Sequence, residues 1–278
     1  MPAGWFQDEF SSAFAPQRIQ GINWASPLAE GLVFAAARRE GGDLIDVAGG
    51  LRMTNSETSA AIEPRTQSMV SVSNVDGAGH SCSAPSYLEL SGQASILFGG
   101  RFLADPDSYV HYFGVKSPGT QNNYSLNNDH NGGNVAMRLY YKGSHSTFSP
   151  NQTEVLDYNI YSASMGWQHY RIYQNGELKL NSAVSTGFSP SYTSPEVVFN
   201  TRSTKNARLQ YTHGLIFNKK LSAEHHAALG SPRHRWDIFN QDSRYISLPA
   251  GGGGYTATMA AAMAALDASL AARVGRKA

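Results

Sequence analysis

The chain has 278 residues, enough for one large β-domain or two small ones. Hydrophobic residues make up 41% of it and charged residues only 15%, with polarity carried by Ser, Thr, Asn and Gln, a balance that suits half-exposed strands better than solvated helices. A net charge of +1 gives no electrostatic basis for a nucleic-acid or membrane partner, and a single cysteine, Cys82, excludes an intrachain disulfide.

Met1 to Trp5 show neither the basic nor the apolar part of a signal peptide, so folding in a cytoplasm is the simplest expectation. Residues 1–20 read as an N-terminal arm. Phe6, Phe10 and Phe14 recur every four residues as one helical stripe that Pro16 ends. Such a stripe is either a short helix folded on its own domain or an anchor in a neighbouring subunit.

From residue 21 to 248 the signals are short and β-like. Leu32-Val33-Phe34 is a compact apolar run; Leu44 to Asp46 leads to Gly49-Gly50, after which Leu51, Arg52 and Met53 alternate as in a strand. Met69, Val70 and Val72 mark an extended stretch, and Ile96 to Phe102 a buried strand. Val110–Val115 and Val135–Tyr141 predict two more, separated by a long polar loop over 121–134. The sharpest signal is Trp167 to Gln174, then Asn175-Gly176, then Glu177 to Leu180. Asn-Gly supplies the two positive φ angles of a type I′ turn, so a hairpin is predicted, with Tyr170 and Ile172 on its core face. Val197–Phe199 and Leu209–Phe217 are the last strands. Ser222 then caps a short helix that Gly230 and Ser231-Pro232 close.

Residues 249–254, Pro-Ala-Gly-Gly-Gly-Gly, form a flexible linker. In 255–278, Met259, Met263, Leu266, Leu270 and Val274 lie on one helical face close to a coiled-coil seam. A lone helix of this length is marginal in water and needs a partner, through self-association or docking on another protein, the alternative being a disordered segment.

Catalytic signals are missing from the sequence. Retaining glycanases need paired carboxylates, and no Glu-x-Asp-x-x-Glu run exists; Asp105 and Asp107 flank a turn proline, and Glu154 and Asp157 sit at a polar loop edge. No Gly-x-Ser-x-Gly or phosphate-binding Gly-rich loop is present, and Cys82 is placed in a Ser-rich loop near His80. His225 and His226 are adjacent, so a helix turns them about 100° apart and they cannot chelate together. No cofactor is called for. The oxygen-rich stretch Asn127–Asn134 is the candidate for Ca²⁺, although Tyr140 stands where an EF-hand loop needs its bidentate Glu. Tyr124, Asn127, Asn128, Asp129 and His130 could instead offer an aromatic face and amides to a glycan.

Three phrases carry a resemblance. Asn23 to Val33 resembles the Asn-x-x-x-Pro-Leu-Ala-x-Gly-Leu-Val opening of the LamG/concanavalin A-like proteins of tailed bacteriophages. The Trp167-Gln168-His169-Tyr170 strand with Asn175-Gly176 is similar to that family's Trp-x-His hairpin, and Leu215 to Glu224 to its final strand and helix start. The resemblance spans residues 20–248. It implies an all-β, concanavalin A-like (LamG-type) jelly-roll sandwich, with the arm before it and the Gly-linked helix after it, in a non-enzymatic virion structural protein of the head or tail. Phe6, Phe10, Phe14, Met259, Met263, Leu266, Leu270 and Val274 would then be assembly contacts to other virion proteins or within a homo-oligomer, a trimer first among the options. The alternative is a host-surface glycan-binding, receptor-recognition module.

Overall fold

The structure is a computed structural model that describes residues 19–241 apart from 39–43, 57, 64–67, 74–78, 85–92, 103–109, 117–122, 132–133, 142–143, 149–156, 167–168, 184–194, 202–206 and 233. The Phe6/Phe10/Phe14 stripe, the linker and the Met259–Val274 seam lie outside the described residues.

Two antiparallel sheets dominate. The first runs, in spatial order, β12 (Ser144–Phe148), β11 (Asn134–Tyr141), β10 (Asn123–Asn131), β9 (Val110–Lys116), β16 (Glu196–Thr201), β7 (Gly79–Ser83) and β4 (Thr54–Ser56). The second runs β15 (Glu177–Ala183), β14 (His169–Gln174), β13 (Asn159–Gly166), β8 (Ala94–Phe102), β17 (Ala207–Phe217), β2 (Leu32–Arg38) and β3 (Leu44–Asp46). The second half of β17 pairs with β2 through His213–Phe217; its first half, Ala207–Tyr211, pairs with β6 (Ser68–Ser73), which pairs in turn with β5 (Thr58–Glu63). A two-stranded ribbon joins β1 (Ile19–Ile22) to β18 (Phe239–Gln241). The chain is thus an all-β jelly-roll sandwich, and β1 takes in Ile19 and Gln20, which the sequence reading left in the arm.

Between the sheets lies an aromatic core. Phe113 and Phe199 from the first sheet approach to 4.3 Å between ring centroids, and Phe199 stacks at 5.0 Å on Tyr211 from the second. Phe98 stacks on Tyr112 at 5.1 Å and Tyr112 on Tyr161 at 5.9 Å. Rings of this size each bury about 150–250 Å², so a few of them supply most of the apolar area a sandwich needs.

A second core lies on the far side of the second sheet. Ala35, Leu97, Ile160, Leu215 and Phe217 are covered there by Ile22, Leu28, Leu229, Trp236 and Ile238, brought by β1, a 3₁₀ turn (Pro27–Ala29), helix α1 (Ala223–Gly230) and the segment before β18. Because this sheet is buried on both faces, every residue of β13 is buried, its serines included, and β8 reads as a nearly continuous apolar run.

The hairpin and helix follow the sequence signals. Asn175 has φ 52° and Gly176 φ 82°, as a type I′ turn requires, and Tyr170 and Ile172 enter the inter-sheet core. The side chain of Asn175 also ties the turn to β13: its Oδ1 accepts from Ile160 N at 2.9 Å, while its own backbone N donates to Ile160 O at 2.8 Å. Ser222 Oγ accepts from His225 N at 3.3 Å as the N-cap of α1. At the other end Arg235 donates from Nη2 to Gly230 O (3.2 Å) and from Nε to Ser231 O (3.3 Å), a cation at the negative end of the helix.

Two expectations fail. The polar stretch 121–134 is not a long loop: Asn123–Asn131 is strand β10, and it pairs on both sides, with β9 and with β11. Ladder hydrogen bonds from two neighbours outweigh the poor intrinsic β-propensity of Asn and Asp. Leu51 to Met53 is not a strand of its own but a one-residue bridge, Arg52 to Ile45, flanked by hydrogen bonds from Asp46 N to Leu51 O (2.7 Å) and from Met53 N to Leu44 O (3.0 Å).

Candidate functional site

The buried polar groups fall into separate clusters. In the first, helix α1 presents His226 to Ser162 and Ser164, alternate residues of β13 that share the face under the helix. Ser162 Oγ lies 2.7 Å from Nδ1 and Ser164 Oγ 2.5 Å from Nε2. Ser164 Oγ is in turn 2.8 Å from Ser95 Oγ, which donates to Lys219 O (2.9 Å) and accepts from Leu221 N (2.9 Å). The two backbone groups fix every proton in the chain. A carbonyl only accepts, so Ser95 spends its single hydrogen on Lys219. Ser164 must then donate to Ser95, His226 must donate from Nε2 to Ser164, and Ser162 must donate to the bare Nδ1. Tyr173 stacks on the imidazole at 3.9 Å and 11°.

A serine donating to an imidazole is the opening geometry of a nucleophile and base, but this pair cannot work as one. Ser162, Ser164 and His226 are all buried, and burial with the nearby cations of His225 and Arg171 pushes His226 down to about 3, too weak a base near neutrality. The cluster clamps α1 to the sheet. The sequence reading treated His226 only as a failed metal ligand; the missed signal was Ser-x-Ser on one strand face together with His226 and Leu229, three apart on the buried face of the helix.

The second cluster links the two sheets. Tyr211 Oη lies 2.6 Å from His80 Nδ1, and burial pushes His80 down to about 4. Cys82, two residues along, sits in strand β7 rather than in a loop; burial, then Asp46 and Glu196, pushes its thiol up to about 12, so it carries almost no thiolate. Asp46, fully buried, accepts at Oδ1 from Ala35 N (3.0 Å) and Ala48 N (3.1 Å) and at Oδ2 from Gly49 N (3.0 Å). This carboxylate organises the turn after β3. His213 is held down at about 3 by burial and then by Arg235, and packs 4.9 Å from Trp236.

The glycan candidates all lie on strand β10. Tyr124 is fully buried in the inter-sheet core and has no face to offer a sugar. In the ladder with β11, Asn127 pairs with Arg138, Asn128 with Met137, Asp129 with Ala136 and His130 with Val135. Among the described residues no group of three or more His, Cys, Asp or Glu is placed to hold a metal ion.

The exposed aromatic lies elsewhere. Trp24 is 62% exposed, at the corner of the turn Asn23–Ser26, in which Ser26 N donates to Asn23 O at 2.9 Å. Asn23 anchors the turn: its backbone N donates to Ile238 O at 2.9 Å and its Nδ2 to Asp237 O at 3.2 Å. The segments that adjoin the turn carry the Glu30–Lys219 ion pair at 2.9 Å, the His234 Nδ1–Asp237 Oδ2 hydrogen bond at 3.0 Å, and the imidazole of His225, whose Nε2 is 3.3 Å from Pro27 O. Lys219 holds the Glu30 carboxyl below the usual range through a hydrogen bond and its charge. The sequence showed Trp24 only as part of an opening phrase; turn formers on both sides of it, Asn23 and Ser26-Pro27, were the available sign that the ring stands outside.

With two stacked antiparallel sheets, the chain is an all-β jelly-roll sandwich, and solved structures share this fold. The binding domain of botulinum neurotoxin DC in complex with rat synaptotagmin II superposes with a TM-score of 0.57 at 14% identity, over 73% of this chain and 52% of that one. The botulinum neurotoxin serotype D binding domain gives 0.58 at 12% identity, over 74% and 52%. A botulinum neurotoxin type C structure described by its interaction with two ganglioside molecules gives 0.58 at 14% identity, over 74% and 52%. The chain therefore spans about half the length of these proteins. No family model matches the sequence. No curated protein matches it either.

Proposed function

We propose that the chain is a non-enzymatic recognition module of a tailed-phage particle, displaying its sandwich to bind host-surface polysaccharide and held in the virion by its terminal segments. The observation that carries the reading is the enclosure of reactive groups among the described residues: Ser162, Ser164 and His226, and His80 with Cys82, are held by one another or by the fold, which favours surface contact over catalysis there. A fold of this shape makes up about half of the neurotoxin binding domains it matches, one of them described with gangliosides, which supports recognition over catalysis. The virion setting is supported by the three phrases that resemble phage LamG-type proteins.

A microarray of bacterial surface polysaccharides probed with the full chain tests the recognition step. Binding to at least one hexose-containing polysaccharide is expected; silence across the array overturns it. Assembly is tested separately by deleting residues 255–278. The truncated chain is expected to lose its oligomeric state in light scattering, with the sandwich's thermal midpoint unchanged, and an intact oligomer removes the helical seam from the account.

A further inference from the structure

We propose that the Asn23–Ser26 turn is the sugar-contact site of this module, with the Trp24 indole stacking on the apolar face of a hexopyranose ring; the inference rests on the recognition reading above. Trp24 is the more exposed of the two large apolar side chains that stand out among the described residues, the other being Leu178 at 47%. An indole left in water forgoes the burial that the second core, a few residues away, grants Leu28, Trp236 and Ile238. The chain nevertheless holds it out on a fixed support.

That support is preorganised. Both amide groups of Asn23 are bound to the 237–238 segment, the turn closes on itself through Ser26, and Ser26 Oγ accepts from Leu28 N at 3.3 Å to start the 3₁₀ turn. A ligand docking on Trp24 therefore orders little backbone, which is the usual penalty for contacts made on loops.

The surroundings fit a polyol. Exposed Ala25 and Pro27 extend the apolar surface by only a few atoms, about the footprint of one sugar ring and far below the roughly 800 Å² per partner that a stable protein interface needs. The polar fringe offers carboxylates from Asp237 and Glu30, an ammonium from Lys219 and imidazoles from His225 and His234. Carboxylates accept pairs of adjacent hydroxyls, and the cations donate to ring and hydroxyl oxygens. With its charges paired, the fringe has no excess positive field for a phosphate backbone or an anionic membrane.

The test immobilises purified bacterial capsular polysaccharides and titrates the full chain by biolayer interferometry, comparing wild type with Trp24→Ala, Trp24→Phe and, as a control, Leu178→Ala. The expected result is a loss of roughly tenfold or more in affinity for Trp24→Ala, partial retention for Trp24→Phe and no change for Leu178→Ala. Thermal midpoints within about 2 °C of wild type for all three show that the loss is not unfolding. Full affinity in Trp24→Ala overturns the site and leaves recognition standing. No binding by the wild-type chain overturns both. A Trp24→Ala chain that binds normally but changes its oligomeric state assigns the indole to a subunit contact, and also overturns the site.

Discussion

His226 is held by two serines and a stacked tyrosine, and it is this side chain that ties the helix to the sheet. Replacing it with alanine strands two buried hydroxyls and opens a cavity beside Tyr173. A destabilisation of roughly 3 kcal/mol is expected, read as a shift in the urea midpoint at constant m-value. The proton assignment has its own readout. Two-bond ¹H–¹⁵N correlation should find His226 neutral, protonated at Nε2 and bare at Nδ1, at pH 7. The opposite tautomer would break the Ser164–Ser95–Lys219 chain and refute the assignment. The sequence marked this cluster only weakly, because Ser95, Ser162, Ser164 and His226 are joined only by folding. The local signals each gave, a strand serine or a helix histidine, are among the commonest in any chain. Trp24 was legible as a residue and illegible as a site for the same reason: whether a turn tryptophan is covered depends on what the distant segment 234–239 does.

At the scale of elements, the hairpin shows local and long-range rules meeting at one point. Asn175-Gly176 could be read as a turn from two residues alone, since few others accept both positive φ values. What could not be read is that the turn packs on the helix. A Cβ on Gly176 would come within 2.6 Å of Ala227 Cα, and one on Gly230 within 2.2 Å of Gly176 N. Gly176→Ala is therefore expected to cost about 3 kcal/mol or more, combining backbone strain with a clash that moves α1 off the sheet. A change under about 1 kcal/mol in chemical denaturation would show that the helix yields freely. Strands such as β2, β8, β16 and β17 were plain in the sequence as short apolar runs. Strand β10 was not: its Asn-Asn-Asp-His-Asn run looks like loop chemistry, and pairing from both neighbours decides otherwise. The same strand carries Tyr124, one of the expected glycan contacts, into the inter-sheet core.

For the whole molecule, two cores on the faces of one sheet make stability depend on three neutral histidines. His80 is held at about 4 and His213 and His226 at about 3, against about 6.5 for a free imidazole. The unfolded chain takes up protons first as the pH falls. The stability these groups contribute is thus full above about pH 6.5 and is lost between there and about pH 3–4, at roughly 1 kcal/mol per pH unit for each histidine. Urea midpoints measured at pH 7.5, 6 and 5 should fall steadily, and a flat profile would mean that the imidazoles are not enclosed as described. The second core was the part of the architecture least legible in sequence, because its covering layer is drawn from opposite ends of the described chain, residues 19–32 and 221–239.

The central claim is recognition without catalysis, and one measurement addresses both halves: size-exclusion chromatography with light scattering of host capsular polysaccharide incubated with the full chain. The account predicts that the protein co-elutes with polysaccharide whose molar mass per chain is unchanged after prolonged incubation. Polysaccharide that shortens with time, or protein that elutes apart from it, would contradict the account.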